Sequence, residues 1–313
     1  MTDTLIERAE TARLISKPSF AEFPKAAPIH AAFRLIELRD GTQPPVGAMA
    51  RRLSFGTART REDAARLAGF EAIERYALQF SSDAPENRES LIGSDGATHV
   101  MPNHALALGA PDTNGQITSK GAAAGPSYEA AALNAVLECL EHALDPQAYA
   151  YALPAEAMPQ DLTEWLAAHL RQLDIHLAQV PGIGLLIRAV CADSDGGRPT
   201  YGTAFSANLE NGIWHAASEA VVSWRNMVTL DHTGVTQDGM DEEEARLFQL
   251  YRGARGDRPV SPTARFDVDG WQAPEPTLGA ALNAAAEAVG QHVAVFDMTA
   301  PEIPLPVVKA VPV

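Results

Sequence analysis

Two segments of this chain carry paired glutamates at one spacing inside one pattern. Slid against itself at an offset of 67 residues, the chain lays Thr60 to Arg75 on Ser127 to His142, with Glu62 on Glu129, Ala64 on Ala131, Ala65 on Ala132, Ala68 on Ala135, Glu71 on Glu138 and Glu74 on Glu141. Each copy opens on a hydroxyl residue of the helix-capping type and closes on Glu-x-x-Glu followed by Arg75 or His142. Residues three apart on a helix share a face, so each pair presents two carboxylates to one neighbourhood. Two such helices packed together gather four. Their repulsion raises some of their pKa values unless cations compensate, and Mg²⁺ takes carboxylates together with phosphate oxygens in such a setting. The plainer alternative is that these acids solvate exposed helix faces. Against it stand the apolar neighbours Leu67, Phe70 and Ile73, and Val136, Leu137 and Leu140, which turn at least one acid of each pair inward or toward a partner helix.

The elements that must position these acids are legible in outline. A Gly-containing loop precedes each cap, SFGTAR (54–59) and SKGAAAG (119–125). The spacing predicts helices from Thr60 to about Phe80 and from Ser127 to about Leu144, with Thr60 and Asp63 resembling a capping box. A strand is expected within 28–38 and a turn across Gly41 to Gly47, while 81–116 reads as loop-rich with a short apolar run near Ala105. Asp161 to Leu173 is expected as a helix, and Ile175–Val180 and Gly184–Ala192 as adjacent strands split by Pro181 and Gly182. A helix follows from about Gly212 to Val228, and an acidic one begins at Asp241, where Asp241 to Glu244 complement the helix dipole. Thr277 to Val289 is the last helix and His292 to Asp297 a strand. The final PEIPLPVVKAVPV, with four prolines in thirteen residues, is expected as an edge strand or a surface tail.

Composition narrows the function. The 313 residues carry 24 Lys+Arg against 40 Asp+Glu, a net charge of −16, which would repel a nucleic-acid backbone. With 46% hydrophobic and 20% charged residues the chain is an ordinary globular protein, and with only 6% aromatics its Ala-rich helices do much of the packing. No apolar run is long enough for a membrane span, and the start MTDTLIERAETARLISK has no cleavable apolar segment, so a soluble cytoplasmic protein is expected. Cys139 and Cys191 suit buried thiols rather than a disulfide or a zinc site. Gly182-Ile183-Gly184 lacks the third glycine of a dinucleotide fingerprint, and no GxxxxGK[ST], HExxH or GxSxG motif occurs. His142 and His215, one turn before Glu219, are secondary candidates for proton carriers near the acids.

The segment TSKGAAAGPSYEAAALNAVLECLEHAL (118–144) resembles the central motif of the YcaO family, a T-S-N-G-x-A-A-G loop running into a helix that ends E-x-x-E-R. FGTARTREDAARLAGFEAIERY (55–76) is similar to that family's G-K-G…E-A-x-E-R-Y stretch, YGTAFSANLENGIWHAASEA (201–220) to its G-x-G-x-H…A-x-x-E-A stretch, and VFDMTAPEIPLPVVKAVPV to its tail. The resemblance implies an α/β fold of mixed α+β character, with mixed sheets flanked by helices and an internally repeated helical motif. It covers a single domain, 1–313, with residues 1–25 as a lead and 301–313 as the Pro-rich tail. It also implies use of ATP and Mg²⁺ to phosphorylate a backbone amide oxygen of a ribosomally made precursor peptide, giving an azoline, thioamide or amidine according to the nucleophile. By the same resemblance Glu71, Glu74, Glu138 and Glu141 hold Mg²⁺, Glu219 assists them, Arg75 and Asn134 contact nucleotide, and Ser119 and Lys120 lie at its loop. The carboxylate of Val313 becomes a candidate catalytic base if the tail enters the cleft.

Several positions depart from the family pattern. Thr57 replaces a lysine, Ala58 a glycine, Leu67 a serine, Lys120 an asparagine, His142 an arginine and Val222 a glutamine, and the basic residue expected near Trp224 is displaced to Arg225. Lys120 and Arg225 then supply cations from other positions in a working enzyme, or the chain is a non-catalytic scaffold beside an active subunit. The expected partners are a precursor peptide, a separate leader-binding or TfuA-like sulfur-delivery protein, and a second copy in a homodimer.

Overall fold

The computed structural model describes residues 2–43, 53–111, 117–144, 149–234, 240, 242–253, 262 and 264–313. Helix α1 (Thr2–Thr11) leads into strands β1 (Ser19–Phe20), β2 (His30–Leu35) and β3 (Leu53–Ala58), a three-stranded antiparallel sheet in that order, and helix α2 (Arg61–Ala77) lies on it. The Thr60 hydroxyl caps α2 by accepting the Asp63 amide at 3.1 Å, satisfying one of the donors a helix start leaves free. Strand and helix approach so closely at Gly56 that a Cβ there would lie 2.2 Å from the Ala68 nitrogen and 2.4 Å from the Ala64 oxygen.

Next come β4 (Asn87–Gly93), β5 (Val100–Pro102), the short helix α3 (Asn103–Leu106), β6 (Ala122–Ala124) and helix α4 (Tyr128–Ala143), capped by Ser127. Strand β7 (Tyr151–Ala152) and helix α5 (Gln160–Ala168) precede the long hairpin β8 (Arg171–Val180) and β9 (Gly184–Asp193), then β10 (Thr200–Ser206) and helix α6 (Leu209–Thr233), capped by Asn208. Helix α7 (Glu242–Gly253), β11 (Ala264–Arg265), helix α8 (Leu278–Val289), β12 (Val293–Asp297) and β13 (Val307–Pro312) complete the chain. The second sheet runs β10-β9-β8-β7-β11, antiparallel except for β11 with β7, and the third runs β5-β4-β12-β13-β6, antiparallel throughout. This is a mixed α/β architecture of three sheets with helices laid on them.

The units interlock as a ring. Helix α2 lies on β3 and also touches β6; α4 lies on β6 and touches β10; α6 lies on β10 and touches β3. The internal repeat seen in the sequence therefore has a third member, β10 and α6. Here Gly202 has no room for a side chain, since a Cβ would lie 2.1 Å from the Ala216 oxygen, which repeats the approach of Gly56 to α2. Alanine makes these approaches possible: Ala64, Ala68 and Ala72, Ala131, Ala132 and Ala135, and Ala216, Ala217 and Ala220 are all buried. Cys139 and Cys191 are buried free thiols. Among the described residues no helix is long and apolar enough to cross a membrane.

Three expectations need correction. The polar segment 81–111 contains β4 and β5; β4 has an exposed face, Asn87, Glu89 and Leu91, so its composition hides it. The helix expected to reach Leu173 ends at Ala168, because Leu170 takes φ 57° and reverses the chain into β8. The Pro-rich end is neither an edge strand nor a surface tail. Pro301, Pro304 and Pro306 precede β13, which then lies between β12 and β6 with Val307 to Ala310 buried, and Pro312 falls at the strand end. Residues 44–47 of the expected turn, Asp241 of the acidic run and the side chains of 242–244 fall outside the described residues, as does 112–116 of the expected loop.

Candidate active site

The strands that meet the helices of the ring, β3, β6 and β10, are each the edge of a sheet. An edge strand carries unpaired backbone donors, and an unsatisfied donor away from water is costly. Glutamates supply the missing acceptors. The Phe55 amide donates to Glu71 Oε2 at 2.9 Å, and the Thr203 amide to Glu219 Oε2 at 2.7 Å, in each case sixteen residues along the chain. The second acid of each Glu-x-x-Glu pair reaches the next unit: the Ala124 amide donates to Glu74 Oε2 at 3.1 Å, and the Phe205 amide to Glu141 Oε2 at 2.9 Å. In the third unit the corresponding position is Val222, and the Ser218 hydroxyl meets Thr57 Oγ1 at 3.0 Å instead.

Two of the acids have both oxygens engaged. Glu71 also accepts Arg75 Nη2 at 2.8 Å, and Glu141 Oε1 accepts the Thr203 hydroxyl at 2.5 Å. Among the described residues, Glu74 and Glu219 each keep one oxygen free of protein donors, and Glu138, supported by the Gly121 backbone, has only His142 at 3.9 Å. All three, one from each helix, are raised above the ordinary carboxylate range. Burial pushes Glu138 up to about 9, aided by the charges of Glu74, Glu141 and Glu71. Burial and the Glu71 charge push Glu74 up to about 8. Burial pushes Glu219 up to about 7, opposed by the Thr203 amide and aided by Glu141 and Glu71. Burial raises Glu71 too, against Arg75, the Phe55 amide and His215. Solvent still reaches Glu219 and more than a quarter of the Glu71 and Glu138 side chains, so the five acids wall an open cleft.

Among the described residues no three acids or histidines converge as a ready-made metal cage. Mg²⁺ is commonly held by one or two carboxylates plus substrate phosphates rather than by an all-protein shell. Glu74, Glu138 and Glu219 have the uncommitted oxygens for it, and ATP would bring the phosphates.

The remaining expected residues separate. Arg75 is beside the acids, but its guanidinium is spent on Glu71 and on the Leu53 carbonyl at 2.8 Å. Asn134 is exposed on α4 one turn before Glu138. Ser119 and Lys120 form the turn before β6, where the Ser119 carbonyl accepts the Ala122 amide at 3.0 Å and the Lys120 residue is exposed. Arg225, on α6, donates from Nη1 to Asn226 at 3.2 Å. The Val313 amide donates to the His292 carbonyl at 2.8 Å, and its side chain packs on the apolar cluster that includes Ala122.

Two groups escaped sequence reasoning. Lys309, only 4% exposed, donates to the Leu106 and Thr118 carbonyls at 2.8 and 2.7 Å; burial lowers it to about 8, against the pull of Glu138. Thr203 joins two of the acids. The signal for Thr203 was present, since Phe55-Gly56-Thr57-Ala58 is echoed by Tyr201-Gly202-Thr203-Ala204.

Residues 94–312 match the family model described as "YcaO cyclodehydratase, ATP-ad Mg2+-binding". Among solved structures, a heterocyclase in complex with substrate and cofactor shares the fold at TM-score 0.70 and 14% identity, over 98% of this chain and 52% of that one, so the chain spans about half its length. YcaO from Methanopyrus kandleri bound with AMPPCP and Mg²⁺ matches at TM-score 0.69 and 16% identity, over 99% of this chain and 90% of that one. A chain of the E. coli microcin synthetase McbBCD complex matches at TM-score 0.62 and 11% identity, over 94% and 87%. No curated protein matches the chain.

Proposed function

The chain belongs to the YcaO family, and from that premise we propose that it uses ATP with Mg²⁺ to phosphorylate a backbone amide oxygen of a ribosomally made precursor peptide. With ADP released, a Cys, Ser or Thr side chain of the peptide, or sulfide, bonds to that amide carbon and the oxygen leaves with its phosphate, giving an azoline or a thioamide. One observation carries this reading: Glu74, Glu138 and Glu219, one from each helix of the ring, each keep an oxygen atom that no donor among the described residues occupies.

Transfer of a phosphoryl group needs positioning and neutralised charge more than covalent help. Bound Mg²⁺ supplies that neutralisation to the phosphoryl oxygens. One or two of Glu74, Glu138 and Glu219 would hold the cation, with phosphate oxygens completing its shell. Glu71 and Glu141, each engaged through both oxygens, fix the edges of β3 and β10 so that the cleft keeps its width. Arg75 orients Glu71. Asn134, with Ser119 and Lys120 across the loop before β6, takes the nucleotide side of the cleft. A separate leader-binding partner delivers the peptide, or a TfuA-like one the sulfur, in the cytoplasm, and the chain acts as a homodimer.

A second reading, a scaffold subunit paired with an active one, draws on the departures at Thr57, Val222 and His142, the last 3.9 Å from Glu138 where Arg75 lies 2.8 Å from Glu71. Isothermal titration with Mg-ATP decides. Saturable binding that is lost on Glu138→Gln supports the enzyme, and no binding by the wild-type protein, with or without peptide, supports the scaffold.

A further inference from the structure

Beside Glu141 the second sheet presents an arginine with no acceptor among the described residues. Arg188 on β9 stands opposite Thr203 of β10 and opposite His176 of β8, and directly paired residues of antiparallel strands project to one face. Thr203 is the residue whose hydroxyl Glu141 accepts, so Arg188 adjoins the rim of the carboxylate cleft. Its guanidinium carbon lies 4.6 Å from the ring centroid of Tyr201 and 5.9 Å from that of Tyr149. The Tyr149 hydroxyl feels both Arg188 and Glu141, which places that ring in the same corner.

The other inward-facing arginines of this protein behave differently. Arg171 donates to Asp193 and to the Cys191 and Arg198 carbonyls, and Arg34 to Glu10 and to the Ser16 and Ala65 carbonyls. Among the described residues the Arg188 guanidinium donates to none, although it is half-buried and held by aromatic rings. Guanidinium offers five donors in a fixed fork matched to carboxylate and phosphate oxygens, and stacking on rings pre-orients that fork. The internal repeat adds a reason for a cation here. The first Glu-x-x-Glu is followed by Arg75, which bonds Glu71, whereas the second is followed by His142, 3.9 Å from Glu138.

We propose that Arg188 is the phosphate-recognition residue of this cleft, its fork binding the non-bridging oxygens of a phosphoryl group delivered beside Glu141. The proposal rests on the reading that a nucleotide enters the cleft. Isothermal titration of wild-type, Arg188→Gln and Arg188→Lys proteins with Mg-ATP, magnesium pyrophosphate and adenosine tests it, with thermal melting as the control for folding. Arg188→Gln is expected to weaken Mg-ATP and pyrophosphate by about tenfold or more and to leave adenosine unchanged, because a charge-assisted bidentate contact is lost. Arg188→Lys keeps the charge without the fork and falls between. Tyr201→Leu, which removes a ring and no charge, is expected to weaken both phosphate ligands several-fold and keeps the test open if Arg188→Gln melts early. Mg-ATP and pyrophosphate bound equally well by wild type, Arg188→Gln and Arg188→Lys would overturn the assignment while leaving the nucleotide reading intact. Arg188-dependent pyrophosphate binding without any Mg-ATP binding would sustain the phosphate site and remove the nucleotide reading. Binding of neither ligand by the wild type overturns both.

Discussion

Glu141 reaches out of its own repeat to accept the Thr203 hydroxyl at 2.5 Å, and its other oxygen takes the Phe205 amide from the same edge strand. A residue recognised by its charge thus has a structural task. Glu138, one turn earlier on the same helix, carries no comparable load.

The two acids should therefore fail differently. Glu141→Ala leaves a hydroxyl and an edge amide without their acceptor and should cost roughly 1 to 3 kcal/mol in urea unfolding. Glu138→Gln should leave the unfolding midpoint unchanged or raise it, while abolishing phosphate release from ATP. Equal destabilisation by both would show that the two acids are not divided in this way.

Stability should fall with rising pH. Glu219, Glu74 and Glu138 have native pKa values of about 7, 8 and 9 against a usual 4.5, so the native state favours their protonated forms. Their contribution is complete below about 4.5 and is lost as pH climbs through 7 to 9. Melting temperature should drop by about 3 °C or more between pH 5 and pH 9, and millimolar Mg²⁺ should restore it at the upper end. A melting temperature indifferent to both variables would contradict the clustering of the acids.

A methyl group at Gly202 or Gly56 has nowhere to go, since its nearest neighbours are helix backbone atoms at 2.1 and 2.2 Å. Gly202→Ala should cost more than about 3 kcal/mol in chemical denaturation, or prevent folding, because β10 and α6 must separate. Gly253→Ala, where nothing approaches within 4 Å, is the control.

Lys309 ties β13 to the carbonyls of Leu106 and Thr118, on the two sides of the loop that leads to Ser119 and Lys120. Lys309→Met keeps the aliphatic stem and removes both bonds, so it should destabilise by roughly 1 to 3 kcal/mol. If the tie also sets the loop, Mg-ATP affinity should fall several-fold in protein that is still folded by circular dichroism. Deleting Ala310 to Val313 should lower the melting temperature as well, since those residues pair with β12; loss of turnover in the deletion is then no evidence for a terminal base.

The sequence was most informative where chemistry and periodicity coincide. Thr60 and Ser127 each cap the expected helix, and Pro181-Gly182 divides the expected strands. It was least informative where one residue type serves two ends. The prolines of the tail suggested exposure, yet Val307 to Ala310 form a buried inner strand because β12 and β6 flank them. Arg225 looked like a substitute cation and Arg188 did not, because helical phase turns the first toward Asn226 and strand pairing brings the second beside Thr203.

What the sequence alone determined is local: two capped helices with acids three apart, a Gly-containing segment before each cap, and a motif order matching one family. Tertiary structure decided which acids are free. A carboxylate finds its partners through space: the edge of β3 consumes an oxygen of Glu71, the edge of β6 one of Glu74, and the edge of β10 both oxygens of Glu141, none of which a spacing rule could have assigned. The third repeat, marked in the sequence by little more than the echo of Phe55-Gly56-Thr57-Ala58 in Tyr201-Gly202-Thr203-Ala204, became evident when α6 closed the ring on β3, since backbone packing tolerates sequence drift that residue-by-residue matching does not.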